Sequence, residues 1–226
     1  MVELSRDPTL QVEAALLAAG HCRVAGVDEV GRGALAGPVT VGVVVLDVSA
    51  VAAGVPTGLR DSKLLSASSR DQLAPVVAAW AVDWSVGHAR ADEVDRLGLT
   101  CALGIAAGRA LAGLSSRPQA IILDGRQDWL TPAVPVPRGW SVSPLVRADR
   151  RCAAVAAASV LAKTTRDRLM SALAQEYPAY GWADNKGYGT AAHRAALRLR
   201  GPCAEHRRSW RLPSLVVTPD AGGARE

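Results

Sequence analysis

Phenylalanine is absent from this chain of 226 residues, lysine occurs three times, asparagine once and cysteine four times. Each scarcity excludes something. Cys22, Cys101, Cys152 and Cys203 stand far apart, with no C-x-x-C pair and no histidine at ligand spacing. That pattern argues against both a zinc site and a disulfide framework, and it predicts a reduced, cytoplasmic protein. No basic stretch followed by a long apolar one opens the chain, so no signal peptide is expected. The most membrane-like run, residues 39 to 55 (VTVGVVVLDVSAVAAGV), is β-branched and interrupted by Asp47. It is short of the roughly 20 residues that a spanning helix needs. The expectation is a soluble protein with no membrane partner.

The lysine count says more than the net charge. Arginine supplies 23 of the 26 basic residues, alanine is abundant and Asn185 is the lone asparagine, as in a GC-rich coding bias. Lys63, Lys163 and Lys186 therefore mark candidate positions for chemistry that arginine cannot do, since an ammonium is a compact point charge and a guanidinium a broad planar fork. Apolar residues make up 49% of the chain, ample for one large core, and the length suits one domain with at most a small appendage. A net charge of +5 and a pI near 9.4 suit a polyanionic partner.

Hydrophobic periodicity gives the order of elements. Residues 9 to 20 read as a leading helix. The runs 23–30 and 38–46 read as two β-strands joined by a glycine turn in an antiparallel pair. A mixed loop containing DSKLLS (61–66) precedes a helix to Trp80, and 81–89 alternates as a third strand. Residues 91–114 read as two helices broken near Gly98. QAIILDG (119–125) is short, apolar and ends in an acid, the pattern of a buried parallel strand. Prolines 132, 135 and 137 keep the following stretch irregular. WSVSPLVRAD (140–149) reads as a fifth strand, 150–177 as the longest helix and 189–201 as a last helix stopped by Gly201. The whole predicts an α/β layered sheet. We divide it into a helical lead-in (1–22), a main unit (23–217) that includes the C-terminal helices, and a tail (218–226) expected to be mobile.

In such sheets, sites form beyond the carboxyl ends of strands. The expected first, fourth and fifth strands bring Asp28, Glu29, Asp124 and Asp149 to that edge. Two carboxylates about 4 Å apart repel by roughly 4 kcal/mol at an effective dielectric of 20. Such a cluster either takes up protons or binds cations, and Mg²⁺ or Mn²⁺ are the natural guests of hard oxygen donors. Two such ions would clamp the attacking and leaving oxygens of a phosphodiester. Singly, each acid also reads as an ordinary strand-end residue, and Asp149 stands where it could cap the next helix. Neighbours in a strand point to opposite faces, so Asp28 and Glu29 line one site only where the strand ends or bulges.

The glycine turn is not a nucleotide motif. Gly31, Gly33 and Gly37 are spaced G-x-G-x-x-x-G with a strand following, and no P-loop frame precedes Lys63 or Lys163. Instead, the chain resembles the bacterial ribonuclease HII family. The resemblance rests on DEVGRG (28–33) with AGP (36–38), DSKLLS (61–66), ILDG (122–125), an Ala-Asp pair before AAASVLAK (156–163), NKGYGT (185–190) and HRRSW (206–210). These motifs cover nearly the whole chain in order. Ala34, where many members carry proline, and Trp210, in place of the usual phenylalanine, depart from the pattern; they bear on turn rigidity and C-terminal packing.

The resemblance implies an RNase H-like fold: a five-stranded mixed sheet flanked by helices, with a C-terminal helical extension. It also implies metal-dependent endonucleolytic cleavage of RNA within RNA–DNA hybrids, and on the 5′ side of single ribonucleotides in duplex DNA. The family's catalytic and metal-holding acids fall on Asp28, Glu29, Asp124 and Asp149, with two Mg²⁺ or Mn²⁺ ions during catalysis. Its substrate-binding turn falls on Gly31, Arg32 and Gly33, and its substrate-reading tyrosine on Tyr188. Lys63, Lys163 and Lys186 all lie in matched motifs and are expected to face phosphates or the acids. Ribonucleotide removal, primer removal and DNA repair follow as roles for a monomer. No sliding-clamp contact is legible, and neither is a role for His206. His88 and His193 read as structural. The competing class is a non-catalytic binder of the same duplexes, against which four intact acids argue.

Overall fold

The computed structural model describes residues 7–215 apart from 135, 136 and 138. Pro135 and the tail from Thr218 lie outside the described residues. β1 (Val24–Val30) and β2 (Val39–Leu46) form the expected antiparallel pair, registered from Val24↔Leu46 to Val30↔Thr40. β3 (Asp83–Ala89) pairs antiparallel with β2, β4 (Ala120–Asp124) runs parallel to β1, and β5 (Ser141–Leu145) parallel to β4. The order β3-β2-β1-β4-β5 is the mixed five-stranded sheet read from the sequence. β2 is buried at every position, which its run of valines requires of a strand covered on both faces.

The helices divide between those faces. α4 (Ala91–Leu97) and α5 (Leu99–Ala112) are separated by Gly98, whose φ of +79° ends one helix and starts the next. Leu103, Ala106 and Ala107 of α5 pack on Val27, Val41 and Val43. Against the other face lie α3 (Ala67–Trp80), capped by the Ser66 hydroxyl, and α6 (Ala153–Glu176). The alanine run opening α6 lets the helix sit on bare strand backbone. A Cβ built on Gly26 would lie 2.2 Å from the Ala154 carbonyl carbon, and one on Gly42 2.5 Å from the Ala158 oxygen.

α1 (Gln11–Ala18) packs Val12, Leu16 and Leu17 on Val24, Ala120 and Ile122. Cys152, the residue before α6, offers no side-chain cap; Glu13 supplies one from α1, its Oε1 accepting from the Ala154 amide at 2.8 Å. Burial pushes the Glu13 carboxyl above its ordinary pKa. At the other end α7 (Trp182–Asn185) and α8 (Ala191–Arg200) close a separate small core of Leu35, Ala36, Met170, Tyr180, Trp182 and Leu197. Among the described residues no helix is long and apolar enough to cross a membrane.

Three details differ from the sequence reading. β5 stops at Leu145, because Arg147 adopts a left-handed conformation (φ +57°) that turns the chain into a 3-10 turn, Ala148–Arg150. Asp149 therefore sits in that turn rather than at a strand end, and it does not cap the long helix, which opens at Ala153. A short α2 (Val48–Ala52) interrupts the apolar run after β2, with Asp47 accepting from the amides of Ser49 and Ala50.

Candidate active site

β1 carries Asp28 and Glu29 in unbroken register, Asp28 opposite Gly42 and Glu29 opposite Val41, with no bulge. Gly26 lies against α6, so alternation puts Asp28 on the same face and Glu29 on the other. The two carboxylates nevertheless interact strongly. Asp28 is 3% exposed, and burial first, then Glu29, Asp124 and Asp149, push its pKa well above the usual carboxylate range. Asp124 ends β4, one step past the last registered pair Val27↔Leu123, and its Oδ1 accepts from the Ala148 amide at 2.7 Å. Burial and the Glu29 charge outweigh that hydrogen bond and raise Asp124 as well. Asp149 is raised by burial and by Asp124 and Asp61. All four predicted acids thus gather at one end of β1 and β4.

The counter-charge is Lys63. Its Nζ stands 3.2 Å from Asp149 Oδ2 and 3.7 Å from Asp61 Oδ1. Burial lowers its pKa, but Asp28, Asp61 and Asp149 outweigh that and hold the ammonium firmly charged. Arg32 pairs with Glu29, Nη1 to Oε1 at 2.8 Å, from a half-exposed position on the glycine turn. Gly31 has a φ of +87°, and a Cβ there would lie 2.4 Å from Arg166 Nε and 2.8 Å from the Pro38 oxygen. A Cβ on Gly33 would meet open space.

Tyr188 lies against the same turn. It forms an antiparallel bridge with Ala34, the Leu35 amide donates to the Gly187 oxygen at 2.8 Å, and the half-buried ring sits 5.5 Å from the Arg166 guanidinium carbon. Lys163 Nζ is 5.9 Å from the ring centroid and bonded to Asp167 Oδ1 at 2.5 Å. Lys186 holds a left-handed conformation (φ +51°), and its Nζ donates to Ser171 Oγ at 2.6 Å and to the Ala183 oxygen. Of the three lysines, Lys63 stands among the acids, Lys163 flanks Tyr188 and Lys186 ties its loop to Ser171 of α6.

Comparison with known proteins follows the same lines. The family model "Ribonuclease HII" matches residues 25–212. The chain belongs to the ribonuclease HII family. Ribonuclease HII of Streptomyces coelicolor is 46% identical over 204 residues, covering 90% of this chain and 83% of the relative. That of Paracoccus denitrificans is 47% identical over 205 residues, covering 90% and 91%. The crystal structure of ribonuclease H2 from Pyrococcus horikoshii superposes with a TM-score of 0.68 at 28% identity, over 84% of this chain and 94% of that one. A ribonuclease HIII, Bst-RNase HIII in complex with Mn²⁺, gives a TM-score of 0.61 at 26% identity, over 79% of this chain and 63% of that one. Ribonuclease HII membership makes the chain a type II ribonuclease H, a hydrolase acting on RNA–DNA hybrids.

Residues of this ribonuclease HII that sequence reasoning passed over complete the site. Asp61 is 1% exposed, accepts from the Lys63 amide at 3.0 Å, and lies 3.5 Å from Arg150 Nε. Its position in DSK, just before a short turn it caps, was the available signal. Arg166 and Arg207 are fully buried and bond backbone oxygens instead of acids. Arg166 donates to Pro38, Lys186 and Ala36 at 2.9, 2.9 and 3.1 Å; Arg207 donates to Gly37 twice and to Arg32, at 3.1–3.2 Å. Burial lowers both, Arg207 to about 9. These guanidiniums draw the carbonyls of the glycine turn inward and fix it to the Tyr188 loop.

The donor set suits a hard divalent cation in kind: several carboxylates crowded past their ordinary pKa, with the Oε2 of Glu29 and the Oδ2 of Asp61 buried and without hydrogen bonds. Among the described residues no three His, Cys, Asp or Glu side chains form a ready-made cage. Beside Asp124 lies a depression of about 310 Å³, lined by Arg32, Arg126 and Trp129 among others. A cleft of about 1070 Å³ lies at the opposite end of the sheet by Arg23 and Gln119, and none of Asp28, Glu29, Asp124 and Asp149 lines it. The arginines at the rim of the depression beside Asp124 suit a polyanion laid across the surface.

Proposed function

We propose that this ribonuclease HII is a divalent-metal-dependent endonuclease. In this reading it cuts the RNA strand of RNA–DNA hybrids and the 5′ side of single ribonucleotides in duplex DNA, leaving 3′-hydroxyl and 5′-phosphate ends. The observation that carries the reading is the crowding of Asp28, Glu29, Asp124 and Asp149, which the Lys63 ammonium and the Arg32 guanidinium offset only in part. Mutual repulsion that a protein alone leaves unrelieved is relieved by bound cations. Asp28, Glu29, Asp124 and Asp149 would hold Mg²⁺ or Mn²⁺; that the ribonuclease HIII neighbour is a complex with Mn²⁺ supports a divalent ion in this fold. Two such ions, when bound, supply charge stabilisation for in-line displacement at phosphorus.

The remaining residues orient the substrate. Gly31, Arg32 and Gly33 would present backbone groups to a ribose 2′-hydroxyl, which both donates and accepts, and Gly33, with open space where a Cβ would stand, leaves room for that approach. Tyr188, held against that turn, would pack on the next sugar and favour deoxyribose there. Lys63 is the ammonium nearest the acids; Lys163 and Lys186 support the Tyr188 loop and the basic face that phosphates meet. Ribonucleotide removal during DNA repair, primer removal, action as a monomer and a cytoplasmic setting belong to the same reading.

Asp28→Asn and Asp124→Asn test it. Each is expected to abolish turnover in Mg²⁺ while binding to the duplex in Ca²⁺ persists. Near wild-type turnover in either variant removes the metal-cluster reading, and binding without cleavage by the wild-type chain would make it a duplex-binding protein.

A further inference from the structure

Two histidines that no acid touches lie buried behind the Tyr188 loop. His193, on α8, is 0% exposed and His206 1%. Their Nε2 atoms are 3.0 Å apart, so one donates to the other. The flanking groups decide which. The Trp182 indole N–H, a donor only, lies 3.2 Å from His193 Nε2. His193 Nε2 is therefore the acceptor, and its proton resides on Nδ1, which lies 3.0 Å from the Tyr188 carbonyl oxygen, an acceptor only. With His193 Nε2 accepting, His206 must carry its proton on Nε2. Its Nδ1 is then an acceptor, and it faces the Cys203 amide at 3.1 Å and the Cys203 thiol at 3.2 Å. Both ends of the chain agree on one arrangement of protons.

We infer that His193 and His206 are positioning residues for substrate selection. They form one directed chain of hydrogen bonds from Cys203 through His206 and His193 to the Tyr188 carbonyl, and it fixes the Tyr188 side chain against the glycine turn. The inference rests on the reading of Tyr188 as the residue that senses the sugar after the ribonucleotide. The same elements make two strand-like bridges to the turn, Ala34↔Tyr188 and Ala36↔His206, so each histidine lies one step behind the surface that meets substrate. Tyr180 packs edge-on against both imidazoles, at 4.6 Å from His206 and 6.0 Å from His193. Burial lowers both histidines, His206 to about 4, which keeps the pair neutral and the direction of the chain single-valued near neutral pH.

The test compares kcat/KM on a duplex with one embedded ribonucleotide against that on a long RNA–DNA hybrid. His193→Leu removes the imidazole donor to the Tyr188 carbonyl, leaving the Thr190 amide as its remaining partner, and is expected to lower the ratio of the two about three- to tenfold, the worth of one neutral hydrogen bond. His193→Asn keeps a donor near the Nδ1 position and is expected to hold the ratio near wild type. Combining His193→Leu with Tyr188→Ala is expected to lower the ratio no further than Tyr188→Ala alone. An unchanged ratio in His193→Leu beside a lowered one in Tyr188→Ala overturns the positioning role but leaves Tyr188 as the reader. An unchanged ratio in Tyr188→Ala overturns both. Should His193→Leu fail to fold, ¹⁵N spectra of the wild-type imidazoles decide: His193 protonated on Nδ1 and His206 on Nε2 support the chain, and the opposite tautomer at either ring sinks it.

Discussion

Replacing Asp28 by asparagine should make the metal-free protein more stable. Asp28 is buried beside Glu29, Asp124 and Asp149, whose charges the Lys63 ammonium offsets only in part, and its pKa is raised well above the ordinary 3.8. Below pH 3.8 the carboxyl is protonated in both folded and unfolded chains, and ionisation costs nothing. As the pH rises past that value, the unfolded chain releases the proton while the folded one retains it. Each further pH unit then favours unfolding by about 1.4 kcal/mol, until the pH passes the folded-state pKa. At pH 7 this penalty has a ceiling of about 4 kcal/mol set by the unfolded value alone. Asparagine removes the penalty, less what Lys63 loses, so a gain of up to about 4 kcal/mol is expected at pH 7. At roughly 2–4 °C per kcal/mol for a chain of this size, Tm should rise by up to about 16 °C. The assay is thermal or urea unfolding in EDTA at pH 7 and again near pH 4, where the gain should vanish. A variant less stable than wild type at pH 7, or equally stabilised at both pH values, refutes the picture of a strained carboxylate. With Mg²⁺ or Mn²⁺ added, the wild type should recover stability by mass action and the variant less.

Gly31→Ala should destabilise the fold by about 2–4 kcal/mol, because φ is +87° and the new methyl meets Arg166 Nε and the Pro38 oxygen; urea unfolding reads it, and a loss under 0.5 kcal/mol would show the turn to be pliant. The same variant should lose activity on long hybrids and single ribonucleotides alike. Lys63→Ala should flatten the salt dependence of duplex binding in Ca²⁺ by about one in the log–log slope, and an unchanged slope means that this ammonium touches no phosphate.

How much of this was legible depended on how far each contact reaches along the chain. The sheet was legible because its strands read as apolar, β-rich runs, and three of the acids because they close those runs. Asp149 was found as a residue but misplaced, since nothing in WSVSPLVRAD signals that Arg147 will turn left-handed. Asp28 and Glu29 needed no bulge: they interact from opposite sides of a regular strand near its end. Arg166 looked like one more charge on an alanine-rich helix, and its partners Ala36 and Pro38 lie 130 and 128 residues away. The roles of Arg207, His193 and His206 were hidden for the same reason. Each is a polar residue whose burial is made bearable by backbone or ring atoms of another segment, and no local pattern records such partners.

The most direct test of the central claim is single-turnover cleavage of duplex DNA containing one ribonucleotide, with the products mapped at both ends. The account predicts a single cut on the 5′ side of the ribonucleotide, with 3′-hydroxyl and 5′-phosphate ends, in Mg²⁺ or Mn²⁺, and no cut in EDTA or with Asp124→Asn. Cleavage that persists in EDTA, or an Asp124→Asn variant that cuts at the wild-type rate, would contradict it.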